Sequence, residues 1–114
     1  MASQLLQANA NVHAVDNNGR TALHIAAGNG RARVADVLLQ ANANVHAVDN
    51  NDFTALHIAA WYGRARVADV LLQANASTTA VNKDGDTPVQ YAEQNGHGEL
   101  AERLRQAQRV GGST

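Results

Sequence analysis

At 114 residues the chain has room for one domain, and its nine basic against ten acidic residues give no bulk electrostatic attraction to nucleic acid or an anionic membrane. The absence of cysteine excludes a disulfide framework, a thiolate nucleophile and a cysteine zinc site, and fits a reducing compartment or a designed sequence. No basic, apolar leader opens the chain and no window approaches the roughly 18 apolar residues that span a bilayer, so a soluble, cytoplasmic-type, recombinant protein is expected.

Residues 1–15, MASQLLQANANVHAV, supply only the last turn of a helix and its loop, a partial repeat. The first full unit spans residues 16–48 and opens with Asn18-Gly19, a tight-turn pair. TALHIAA then places Leu23, Ala26 and Ala27 at i, i+3 and i+4, the apolar side of a two-turn helix. Gly30 ends that helix, where a left-handed residue meets no Cβ clash, and Gly63 does the same one unit later. RARVADVLLQA sets Val34, Val37, Leu38 and Ala41 on the apolar face of a second helix, leaving Arg33 and Gln40 to solvent.

Residues 49–81 repeat this unit. Across 33 aligned positions, 5–37 and 38–70 differ only at Gly19/Asp52, Arg20/Phe53, Gly28/Trp61 and Asn29/Tyr62. Such a period marks a stacked-repeat solenoid, here all-α, in which neighbours cover the apolar face that no single unit can bury. Helices this short do not persist alone in water.

Residues 82–108 form a third unit in which Glu93 replaces Ala27 and Ala60, Arg103 replaces Val37 and Val70, and Arg105 replaces Leu39 and Leu72. A charged outer face ends a stack, so this unit reads as a C-terminal cap. Residues 109–114, ending in GGST, read as a flexible tail or cloning remnant. The opposite end lacks a cap, so Leu23, Val34 and Leu38 are expected to lie partly open and to favour end-to-end self-association.

DNNGRTALHIAAGNG and, from Asn82, NKDGDTPVQYAEQNG resemble the ankyrin repeat, whose hallmark is a T-P-L-H-x-A stretch in a turn-helix-helix unit. The resemblance covers residues 5–107, with Thr21, Leu23, His24 and Ala26 recurring as Thr54, Leu56, His57 and Ala59. Ala22 and Ala55 stand where the family usually has proline, giving up a preset φ that Pro88 keeps. The copying of surface residues such as Gln40/Gln73 and Asn42/Asn75 resembles a designed, consensus-type ankyrin protein. The resemblance implies a protein-binding concave face lined by the turn base and the end of each first helix, and implies that His24 and His57 hydrogen-bond within and between repeats.

Asp52, Phe53, Trp61 and Tyr62 fall at those positions. The preceding unit folds with Gly19, Arg20, Gly28 and Asn29 in their place, so core packing does not require them. Phe53, Trp61 and Tyr62 are three of the four aromatics; the fourth, Tyr91, replaces Ile25 and Ile58 and is expected to pack in the cap. Rings of this kind dominate interface centres, so they are expected to anchor a folded protein partner, itself engineered or co-designed, with Asp52 adding polarity. Arg20 and Asn29 would form one rim and Asp86, Gln94 and Asn95 the other, with Asn50 and Asn51 joining at the turn tip. The alternatives are a scaffold or folding-model protein without a target, and self-association through the same patch.

No enzymatic activity, cofactor or metal is expected. His13/His46 and His24/His57 are phased by the repeat, and none has the i, i+4 partner and nearby glutamate of a helical zinc site. The acids fall on turns and helix surfaces, where Arg33/Asp36 and Arg66/Asp69 can pair at i, i+3. Arg31, Arg33, Arg64 and Arg66 beside the rings permit stacking on bases, but Asp52, Asp86 and the near-neutral charge oppose a nucleic-acid site.

Overall fold

The computed structural model describes residues 12–112, with side chains as far as residue 109. Within these residues six helices succeed one another in pairs: α1 (Ala22–Gly28) with α2 (Ala32–Gln40), α3 (Ala55–Tyr62) with α4 (Ala65–Gln73), and α5 (Pro88–Gln94) with α6 (Gly98–Gly112). The described residues contain no strand, and the architecture is the all-α solenoid that the period implied.

Each first helix begins at a threonine whose hydroxyl accepts the backbone N–H of the residue three further on: His24 for Thr21, His57 for Thr54, Gln90 for Thr87. The bond is reciprocated, since His24 Nδ1 accepts the Thr21 N–H at 3.0 Å, His57 Nδ1 the Thr54 N–H at 3.1 Å and Gln90 Oε1 the Thr87 N–H at 2.7 Å. Two orphan donors are thereby satisfied at each helix start. Gly63 ends α3 at φ +70°, where a Cβ would also stand 2.6 Å from the His97 ring, so conformation and space both demand glycine.

The first helices stack in one row, α1 on α3 on α5, and α2 stacks on α4. Fully covered Ala27, Ala59, Ala60 and Ala92 let the first row approach closely, around Leu23, Leu56, Leu71 and Leu104. α4 and α6 touch little, and a groove of about 1400 Å³ opens between α6 and the loop after α4; Arg103 bridges it to Asp69 at 2.7 Å. Glu93 of the cap lies exposed where Ala27 and Ala60 are buried, and pairs with Arg105.

The turns form a second strip of order. Oδ1 of Asp16, Asp49 and Asn82 each accepts two backbone N–H groups of its own turn, at 2.9 to 3.1 Å. Neighbouring turns are joined where the Asn50 N–H donates to Asn18 O and the Lys83 N–H to Asn51 O.

Several expectations are corrected. Leu23 and Leu38 are not open at the first unit's outer side: they are 2% and 5% exposed and belong to the continuous core, while Val34 is half-buried. Among the described residues Arg33 and Arg66 make no ion pair; Asp36 accepts from Gln40 Nε2 and Asp69 is taken by Arg103. Residues 109–112 continue α6, with Arg109 reaching back to Glu102 at 3.4 Å, whereas residues 113–114 lie outside the described chain. Asn42 and Asn75 are exposed, as surface residues should be, but their identity also answers to the backbone: at φ 72° and 68° they sit in the left-handed region that asparagine tolerates better than most residues.

Candidate functional site

A groove of about 590 Å³ runs between α1 and α3 on the first-helix side of the stack. One wall is Ile25, Gly28 and Asn29 of α1 and its end; the other is Ile58, Trp61 and Tyr62 of α3. Arg20, Asn51 and Phe53 close it at the turn end, and Arg64 at the end where the helices of a unit join.

Trp61 is 42% exposed and Tyr62 55%, so neither is a core side chain. Each nevertheless leans on a neighbouring unit. Trp61 tilts against the buried Tyr91 of the cap, ring centroids 4.9 Å apart, and Tyr62 stands over Gly28 of the unit before. Phe53 departs most from a free anchor: it is half-buried and stacks on Tyr91 at 5.4 Å with ring planes 15° apart, forming a floor for the patch. Tyr91 packs in the cap, as read from the sequence, and its hydroxyl accepts from Asn82 Nδ2 at 2.7 Å.

The two phased histidines tie this floor together. Because Nδ1 of each accepts a threonine N–H, the proton lies on Nε2, which His24 donates to Phe53 O at 2.7 Å and His57 to Asp86 O at 2.9 Å. Each therefore spans to the next repeat, as the resemblance implied. Burial holds both imidazoles below their ordinary pKa, against the pull of those carbonyls.

Asp52 takes φ 63°, where the first and third units carry Gly19 and Gly85. Its carboxylate makes no hydrogen bond or ion pair among the described residues. Arg20 is partly committed: its Nε faces the buried Asp49 carboxylate at 3.5 Å. Arg64 donates Nε to Gly28 O at 3.2 Å and lays its guanidinium over the Tyr62 ring at 5.9 Å.

Six of the expected residues, Arg20, Asn29, Asn51, Phe53, Trp61 and Tyr62, thus border one groove. Asp86, Gln94 and Asn95 do not line it and lie toward the cap. Asn95 is spent on structure, its Nδ2 donating to Trp61 O at 3.1 Å, and Asp86 lends its backbone carbonyl to His57. Ile25, 48% exposed, and Ile58 were not among the expected binding residues, and Arg64 entered only the nucleic-acid reading. The signal for Ile25 was an aliphatic at the wet position of TALHIAA. Among the described residues no three His, Cys, Asp or Glu side chains converge as a metal set, and no helix is long and apolar enough to cross a membrane.

Paired short helices stacked in register, with a threonine box at each start and turns hydrogen-bonded in file, define a helical repeat protein. The chain belongs to the ankyrin repeat family: the family model for ankyrin repeats (3 copies) matches residues 1–82. Proteins of this family are generally protein–protein interaction modules and typically not enzymes. No curated protein matches the chain.

Proposed function

We propose that the chain is an engineered binding module that holds a folded protein partner in the groove between α1 and α3, with Trp61 and Tyr62 as anchors and Phe53 as the floor beneath them. The observation that carries this is the pairing of two large rings, 42% and 55% exposed, with a facing unit that has Gly28 and Asn29 at the same places. Exposed aromatics are a solubility liability unless something covers them. Stacked repeats hold the rings before contact, which reduces the ordering cost of association. Near-identity of the two units at solvent positions such as Gln40 and Gln73, where no shared backbone constraint acts, supports an engineered origin.

The test is the double substitution Trp61→Gly with Tyr62→Asn, which restores the first unit's residues. Binders selected against the native chain from a displayed library are expected to lose at least about 2 kcal/mol on the double variant, with helix content by circular dichroism retained. Selected binders that hold both chains equally would refute the assignment. Concentration-dependent dimers by light scattering, abolished in the double variant, would instead make the patch a self-association surface.

A further inference from the structure

The groove is polarised along its length. At the end where α1 meets α2, the Arg64 side chain crosses Gly30, its Cδ 3.1 Å from where a Cβ would stand, so it reaches the ledge from which Arg31 projects. Arg31 is exposed and caps α2 with backbone alone. Arg64 uses only Nε, on Gly28 O, and neither guanidinium pairs with a carboxylate among the described residues. At the turn end stands Asp52, its carboxylate unpaired and its neighbours Asn51 and Phe53 in the groove wall. Between the two lie Ile25, Ile58, Trp61 and Tyr62. Arg64 and, just outside the groove, Arg31 thus stand at one end with no carboxylate partner among the described residues, whereas at the other Arg20 faces the Asp49 carboxylate and Asp52, just outside, has none.

On the reading that this groove is the binding site, we propose that its partner is a folded protein with an acidic surface, which sets carboxylates against Arg31 and Arg64, an apolar side chain between Ile25 and Tyr62, and a basic residue toward Asp52. Unpaired cations at an interface rim steer approach and fix register by charge complementarity. A nucleic acid fits less well. A phosphate chain following the trough would run from the arginines onto Asp52, and Trp61 has its inner side against Tyr91, leaving less ring for a base.

The test uses the full chain as bait for a phage-displayed, immunoglobulin-type domain with randomised loops. Clones that fail to bind the chain carrying Trp61→Gly and Tyr62→Asn define the groove population. Their loops are expected to hold an excess of Asp and Glu over Lys and Arg. They should bind a chain with Arg31→Gln and Arg64→Gln about tenfold more weakly. Raising sodium chloride from about 50 to about 500 mM should weaken native binding and leave the arginine variant's nearly unchanged. Groove-dependent clones with no acidic excess and full affinity for the arginine variant overturn the polarity while leaving the aromatic anchors standing. A selection with no clone sensitive to Trp61 and Tyr62 overturns both. Displacement of the clones by oligothymidine, lost in the arginine variant, assigns the cations to nucleic acid and likewise overturns the proposal.

Discussion

Tyr62 and Gly28 are partners across the repeat boundary: a methyl built on Gly28 would stand 3.8 Å from the Tyr62 ring and 3.5 Å from Ile58. A residue no larger than alanine in one unit leaves room for an aromatic in the next. The sequence differences at Gly28/Trp61 and Asn29/Tyr62 are therefore two sides of one groove.

A first prediction concerns that partnership. Gly28 has ordinary helical φ, so Gly28→Ala relieves backbone entropy with only van der Waals contact and should raise stability by about 0.5 kcal/mol, read from thermal unfolding. Gly28→Trp has no such room and should close the groove, abolishing capture of Tyr62-dependent binders with little change in helix content. Retained capture would show that the trough is not the contact surface.

Asp52 offers the opposite trade. It holds φ 63° where its counterparts are glycines at 77°, and its carboxylate makes no bond among the described residues to offset the strain. Asp52→Gly should therefore stabilise the fold by about 0.5–1 kcal/mol in urea unfolding, since a β-carbon in the left-handed region carries a cost of that order. The same change should weaken partner binding. An unchanged unfolding midpoint would mean that the carboxylate already repays its backbone.

The histidines fix the pH response. Burial depresses the pKa of His24 and His57 in the fold, so the unfolded chain binds protons first as pH falls. Their contribution is complete above about pH 6.5, the ordinary histidine value, and is lost as pH drops from there toward the folded pKa. Asp16, held below the usual carboxylate range mainly by the Arg20 N–H, acts in the same direction but only near and below pH 4. Stability measured by urea unfolding should thus be flat from pH 8 to about 7 and decline from about 6.5. Replacing both histidines by glutamine, which already forms the box at Gln90, should flatten the upper part of that decline while lowering stability throughout, because the bonds to Phe53 O and Asp86 O go.

The fold was legible because its period is written in the letters: TALHIAA, RARVADVLLQ and the intervening glycine each recur with their apolar faces in phase. The rings at Trp61 and Tyr62 were legible as two of the four breaks in that copy. What stayed hidden were relations across units. Phe53 looked like an exposed anchor, but the replacement of an isoleucine by Tyr91 one unit on supplies a ring for it to stack on. Asn95 looked like rim until its amide reached Trp61 O, and Arg20, which does border the groove, is also drawn to Asp49. Ile25 escaped because an identical TALHIAA segment places Ile58 under cover and Ile25 in the open, a difference made only by which neighbour stands beside it.

The bonds from His24 to Phe53 O and from His57 to Asp86 O each span 29 residues, the same step twice. A module spliced in ahead of the cap would find a donor behind it and offer one in front, whereas beyond the cap Gln90 spends its carbonyl oxygen on Thr87 and has no imidazole to extend. An interior duplication would thus lengthen the array and widen its contact face with the cap unchanged.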